Sequence, residues 1–134
     1  MVADKQLEFI VDSSVFIAYL LPDETLPHSI TSVINKFIKN QADFIAPTIL
    51  KYEIGNALKS SVKQKRVEAA EALEIFETFL EFPIHFLSPN YSKTLQLSIQ
   101  HNLTFYDASY LCLAQEKKVK LLTLDKKLLT CLPK

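Results

Sequence analysis

Short apolar runs alternate along this chain with longer segments of helical period. Leu7–Val11 (LEFIV), Ala42–Ala46 (ADFIA) and Ile84–Leu87 are brief runs bounded by polar or proline positions, the pattern of buried strands. Val119, Leu121, Leu122 and Leu124 supply a fourth. The first helix leads from Ser13 and Ser14 into Val15, Phe16, Ile17, Tyr19 and Leu20, and Pro22 stops it. Pro27 opens a second, with Ile30, Val33, Ile34, Phe37 and Ile38 at helical spacing. A long helix runs from Thr48 to about Lys63, another from Val67 to Leu80, and a third from Tyr91 to Gln100, with Asn102 as a left-handed stop. Alternation of strands and helices predicts one α/β domain over residues 1–134. Its expected architecture is three-layer α/β/α around a central, mostly parallel sheet.

The stretch Leu103–Leu128 organises the rest. Tyr106, Tyr110, Leu111, Cys112, Leu113 and Ala114 form the packing face of its helix. Asp107 interrupts that face near the helix start, and Asp125 lies just past the last strand. Open α/β sheets bind ligands outside the carboxyl ends of their strands, so both positions are where a site forms. Asp12, at the tip of the first strand, is a third such position, and it can also cap the following helix. Glu53 and Asn56 lie on or beside the apolar face of the long helix defined by Ile49, Tyr52, Ala57 and Ser60. Gly55 inside this helix costs about 1 kcal/mol relative to alanine. Close approach of another backbone would account for it.

With 134 residues, 49% of them hydrophobic, the chain is large enough to bury a core. Its formal net charge is zero, so nothing global marks a nucleic-acid binder. Gly55 is the only glycine, which excludes phosphate loops, dinucleotide fingerprints and nucleophile elbows, each of which needs several. Cys112 and Cys131 lack metal-ligand spacing and read as reduced thiols. The histidines, His28, His85 and His101, form no metal signature. No apolar run is long enough to span a bilayer, and the N-terminus carries Asp4 and Glu8 without a signal-peptide core. The cytoplasm is the expected location.

Asp12, Glu53, Asp107 and Asp125 therefore form a candidate cluster. Converging carboxylates repel, which raises their pKa values, and a hard divalent cation relieves the repulsion. Mg²⁺ or Mn²⁺ suits an all-oxygen set, whereas zinc prefers histidine and cysteine. Taken singly, Asp12 and Asp107 also read as helix caps, Asp125 as a turn opener and Glu53 as a boundary residue. Lys59, Lys63, Lys65 and Arg66 end the long helix, and Lys117, Lys118, Lys120, Lys126 and Lys127 surround the organising stretch. Either group could guide a phosphate backbone or simply be solvated surface. Tyr106 and Tyr110 are candidates for stacking on a base or for packing.

The segments VDSSVFIAYL with Asp12, YEIGNAL with Glu53 and Asn56, TFYDASYLCLA with Asp107, and LLTLDKKL with Thr123 and Asp125 resemble, in order, those of PIN-domain proteins. Within that group the chain is similar to the VapC-type toxin ribonucleases of prokaryotic toxin–antitoxin pairs. The resemblance implies a Mg²⁺- or Mn²⁺-dependent endoribonuclease that hydrolyses RNA with a metal-activated water and leaves a 5′-phosphate and a 3′-hydroxyl. It makes Asp12, Glu53, Asp107 and Asp125 the metal ligands and catalytic residues, Asp125 being the most variable position of the four. Thr123 would support the site by hydrogen bonding, with Asn56 and Ser13 as further supporting residues and Lys59, Lys126 and Lys127 as RNA contacts. It also implies a homodimer and a cognate antitoxin that covers the acidic pocket. The helices around Ile30–Ile38 and Val67–Leu80 are candidate partner surfaces or plain core. Two alternatives stay open: a catalytically silent PIN-fold binding module, and an RNA-processing nuclease that is not a toxin. A phosphoryl-transfer domain with Asp12 as nucleophile is disfavoured, because Ser14 stands where a second aspartate belongs.

Overall fold

The computed structural model describes residues 6–133, so Asp4 and Lys134 lie outside it. Four strands and seven helices are present among the described residues. In chain order they are β1 (Leu7–Val11), α1 (Ser13–Leu20), α2 (His28–Ile38), β2 (Ala42–Ala46), α3 (Ile49–Lys63), α4 (Ala69–Leu80), β3 (His85–Phe86), α5 (Tyr91–His101), α6 (Phe105–Lys117), β4 (Lys120–Leu122) and α7 (Lys126–Thr130). The sheet has the order β3-β2-β1-β4, and every pairing is parallel. The expected three-layer α/β/α arrangement is therefore the one observed.

Burial explains why the strands read as continuous apolar runs. Phe9 and Ile10 are consecutive, so they point to opposite faces of the sheet. Both are buried, as are Phe44 and Ile45 beside them in register. Helices must therefore cover both faces, as parallel sheets require. On one face Phe44 stacks on Phe37 of α2, with ring centroids 4.1 Å apart, and meets Phe16 of α1 edge-on at 5.9 Å. Phe79 of α4 extends this aromatic cluster against Phe16. Most of the apolar side chains of α2 and α4 are thus core or packed on it, although Ile38, Leu73 and Leu80 remain exposed.

Helix α6 is buried continuously from Ala108 to Ala114. Thr104 caps it by accepting the Asp107 N–H at 3.0 Å, and Lys118 ends it in the left-handed region. Each buried leucine here stabilises the fold by about 1.5–3 kcal/mol. Truncating Leu113 to alanine would cost about 2–5 kcal/mol. Asn102 is left-handed, as expected, and closes α5.

Several expectations change. The buried face of α3 runs through Leu50, Ile54, Leu58 and Ser61, not through Ile49, Tyr52, Ala57 and Ser60, and Tyr52 and Ser60 are exposed. β3 is confined to His85–Phe86, shorter than the expected Ile84–Leu87. β4 is confined to Lys120–Leu122, shorter than the apolar run Val119–Leu124 suggested. The Leu124 N–H leaves the ladder to donate to Ser14 Oγ at 2.8 Å. Gly55 approaches no backbone: an added Cβ would lie 3.8 Å from Phe76 Cε1, an ordinary van der Waals contact.

Candidate metal centre at the carboxyl edge of the sheet

The chain runs from β1 through β2 to β3 on one side and then returns to place β4 on the other side of β1. The reversal between β1 and β4 is a topological switch point, where a crevice opens at the strand ends. Asp12 follows β1 directly, and its N–H continues the ladder to Leu122 O at 3.1 Å. Thr123, Leu124 and Asp125 follow β4. The switch point thus brings the two ends of the chain together.

Asp12 is 3% exposed and held by several donors. Its Oδ1 accepts the Ser14 N–H at 2.6 Å, which caps α1, and the Ser13 hydroxyl at 3.4 Å. Its Oδ2 accepts the hydroxyls of Ser14, at 3.1 Å, and of Thr123. Thr123 Oγ1 in turn accepts the Asp125 N–H at 2.9 Å. Burial lifts the Asp12 carboxyl above its ordinary pKa; the Thr123 and Ser14 donors oppose the rise, and the nearby charge of Asp125 adds to it.

Glu53 enters from α3, half-buried, and its Oε1 accepts the Tyr110 hydroxyl at 2.5 Å. Burial raises its pKa, the Tyr110 hydroxyl lowers it, and the charges of Asp12 and Asp107 raise it again. Asp107, in the first turn of α6, is raised by burial and then by Asp125 and Asp12, with Lys127 pulling the other way. Asp125 caps α7 through its Oδ1, which accepts the Leu128 N–H at 3.1 Å. Each of the four carboxylates acts electrostatically on at least one other, so the structure draws all four into one region.

The donor set is all oxygen and mutually repulsive, which fits a hard divalent cation. Among the described residues no three acidic, histidine or cysteine side chains close into a ready-made cage.

Some assignments change in detail. Tyr110 is fully buried with its hydroxyl on Glu53, so it cannot stack on a base. Burial, then the charge of Glu53, drives its pKa well above the usual phenol range, so it remains a donor. Tyr106 is not core but 56% exposed. Arg66 is engaged by both oxygens of Asp23 and by Glu24, each at 2.8 Å. Asn56 is exposed and makes no hydrogen bond to a carboxylate among the described residues; it lines a shallow notch with Lys59, Ser60 and Lys63. Lys59, Lys126 and Lys127 are exposed, and Lys127 is near enough to act on Asp107. Ser14 fits the capping and supporting position expected of the serines after β1, whereas the role of Tyr110 as a partner of Glu53 exceeds what its sequence position indicated. For Tyr110 the one available signal was its place one turn beyond Asp107.

A parallel α/β domain with an acidic crevice at its topological switch point defines a recognisable class. The PIN-domain family profile matches residues 9–130, and the chain belongs to that family. Ribonuclease VapC3 of Pyrobaculum aerophilum is 28% identical over 126 residues, covering 91% of this chain and 92% of the relative. Exonuclease VapC9 of the same organism is 29% identical over 109 residues, covering 81% and 82%. A crystal structure of a Pyrobaculum aerophilum protein superposes with a TM-score of 0.74 at 27% identity, covering 92% of this chain and 84% of that one. No helix among the described residues is long and apolar enough to cross a membrane.

Proposed function

We propose that this chain is a Mg²⁺- or Mn²⁺-dependent endoribonuclease and the toxin of a type II toxin–antitoxin pair. It would act in the cytoplasm as a single domain over residues 1–134, as a homodimer restrained by a cognate antitoxin over the acidic pocket. One observation carries this reading: carboxylates from separate elements gather at one crevice, where burial, and then neighbouring negative charge, raises the pKa of Asp12, Glu53 and Asp107. A fold that only needed stability would not retain such repulsion. The nuclease-named relatives within the same family support it.

Asp12, Glu53, Asp107 and Asp125 would hold the cation. When bound, Mg²⁺ or Mn²⁺ lowers the pKa of a coordinated water and neutralises charge on the phosphate. Thr123 and Ser14 keep Asp12 oriented through its Oδ2. Tyr110 fixes Glu53 by donating to its Oε1. Lys127 sets a positive charge beside Asp107, where a phosphodiester would approach. These contacts orient the acidic groups before RNA arrives, so little reorganisation accompanies the reaction.

The test is cleavage of linear and circular RNA in EDTA, Mg²⁺ and Mn²⁺ by the wild type, Asp12→Asn and Asp107→Asn. Metal-dependent cutting of both RNA forms, lost in the variants, is the expected result. Cutting of linear RNA alone would make the enzyme an exonuclease. Equal activity in the variants would overturn the site, and RNA binding without cleavage would favour a silent binding module.

A further inference from the structure

Beside the acidic crevice lies a second concavity, built from three connections. Pro47 and Thr48 follow β2; Leu87 and Ser88 follow β3; Tyr91 opens α5; Phe105 and Tyr106 open α6. Together with Ser109 they line a groove of about 150 Å³. It lies on the same carboxyl edge of the sheet as the carboxylates. Tyr106 directly precedes Asp107, and Thr48 opens the helix that carries Glu53.

The groove's walls are unusual for this chain. Phe9, Phe16, Phe37, Phe44 and Phe79 are all buried, yet Tyr91, Phe105 and Tyr106 remain 60%, 39% and 56% exposed side by side. The Tyr91 and Phe105 rings are stacked, with centroids 6.4 Å apart and planes 24° from parallel, and so form a preformed wall. The Ser109 hydroxyl donates to Tyr106 O at 2.5 Å and pins the turn that presents Tyr106. No lysine or arginine lines the groove, so electrostatics toward phosphate is not its work. An open concavity of about 150 Å³ has room for one planar ring system.

Resting on the ribonuclease reading above, we infer that this groove holds a base of single-stranded RNA adjacent to the phosphate at the carboxylates, with Tyr106 as the stacking face. Aromatic faces bind any base by stacking, with little dependence on sequence. Such a contact would fix which phosphodiester enters the crevice.

The experiment compares a fluorescent 12-nucleotide single-stranded RNA with an abasic oligomer of equal length, by anisotropy in EDTA, alongside cleavage in Mn²⁺. The expected result is that RNA binds more tightly than the abasic strand and that Tyr106→Ala removes about 5- to 100-fold of that preference, the range carried by one stacked base. Tyr106→Phe should keep the preference, and both variants should melt as the wild type does. In cleavage, Tyr106→Ala should raise KM more than it lowers kcat. An unchanged preference in Tyr106→Ala overturns the groove while leaving the nuclease intact. So does a change in sedimentation with base preference retained, which would make this face a protein contact. Base-dependent binding through Tyr106 in a protein that cleaves no RNA would keep the groove and refute the nuclease.

Discussion

Thr123 donates its hydroxyl to Asp12 Oδ2 while its oxygen accepts the Asp125 N–H, so one side chain ties the tip of β1 to the tip of β4. Thr123 is buried, so no water can replace these bonds easily. Replacing it with valine keeps the shape and removes both. Thr123→Val should lose about 1–3 kcal/mol of stability, the cost of leaving buried polar groups unpaired. Cleavage should fall with it, because Asp12 loses its orientation. Thr123→Ser should recover most of both, as read by thermal melting and initial rates.

The raised pKa values of Asp12, Glu53 and Asp107 carry a signed consequence for stability. A carboxyl whose folded pKa lies above its unfolded value binds its proton more tightly when folded. The associated stability is present below the unfolded value and is lost as pH rises through the folded one. In EDTA the protein should therefore gain stability as pH falls from neutrality towards the ordinary carboxylate range. Asp23 acts in the opposite sense and lower down: Arg66 depresses its pKa, so its contribution is lost only on further acidification. Saturating Mn²⁺ should invert the first trend, because protons compete with the cation. Melting temperatures across this range, with and without metal, check both signs. Glu53→Gln, which still accepts from Tyr110, should raise the metal-free melting temperature and abolish cleavage.

Tyr110→Phe isolates the other oriented carboxylate. The hydroxyl lowers the pKa of Glu53, so its removal should move that pKa further up. The rising limb of the pH–rate profile should shift to higher pH. The loss of stability should be about 1.5–3 kcal/mol, the worth of one hydrogen bond to a charged group, as read by thermal melting. A uniform fall in rate at every pH would contradict a role through Glu53.

Gly55→Ala should stabilise the protein. The site is helical, its added methyl meets only the Phe76 ring at ordinary distance, and glycine wastes backbone entropy there. The expected gain is about 0.5–1 kcal/mol. Thermal melting measures it, and RNA cleavage should not change.

Much of this arrangement was legible in the chain itself. Asp12 betrays itself because β1, at the centre of the sheet, reads as an apolar run with a carboxylate at its tip, and Asp125 stands out by following the apolar positions around β4. Glu53 stands out equally on its helix. The reading falls short where a side chain's partner lies far away in sequence. Nothing local tells Tyr110 to find Glu53, 57 residues earlier, or Arg66 to find Asp23, 43 residues earlier. Local composition grouped Tyr110 with base-stacking tyrosines, and tertiary contacts decided otherwise. The end of β4 was misjudged for the same reason, since Leu124 is apolar but its N–H belongs to Ser14.

The tie between Asp12 and Thr123 spans 111 residues of chain. The parallel partner β4 is the last strand of the chain, so β1 waits for it across the whole domain. During translation at about 5–20 residues per second, roughly 5–20 s pass between adding Asp12 and adding Thr123. Throughout that interval the nascent polypeptide has neither Thr123 nor Asp125 with which to complete the crevice. On the nuclease reading proposed above, the crevice is therefore completed only after the last strand has been made.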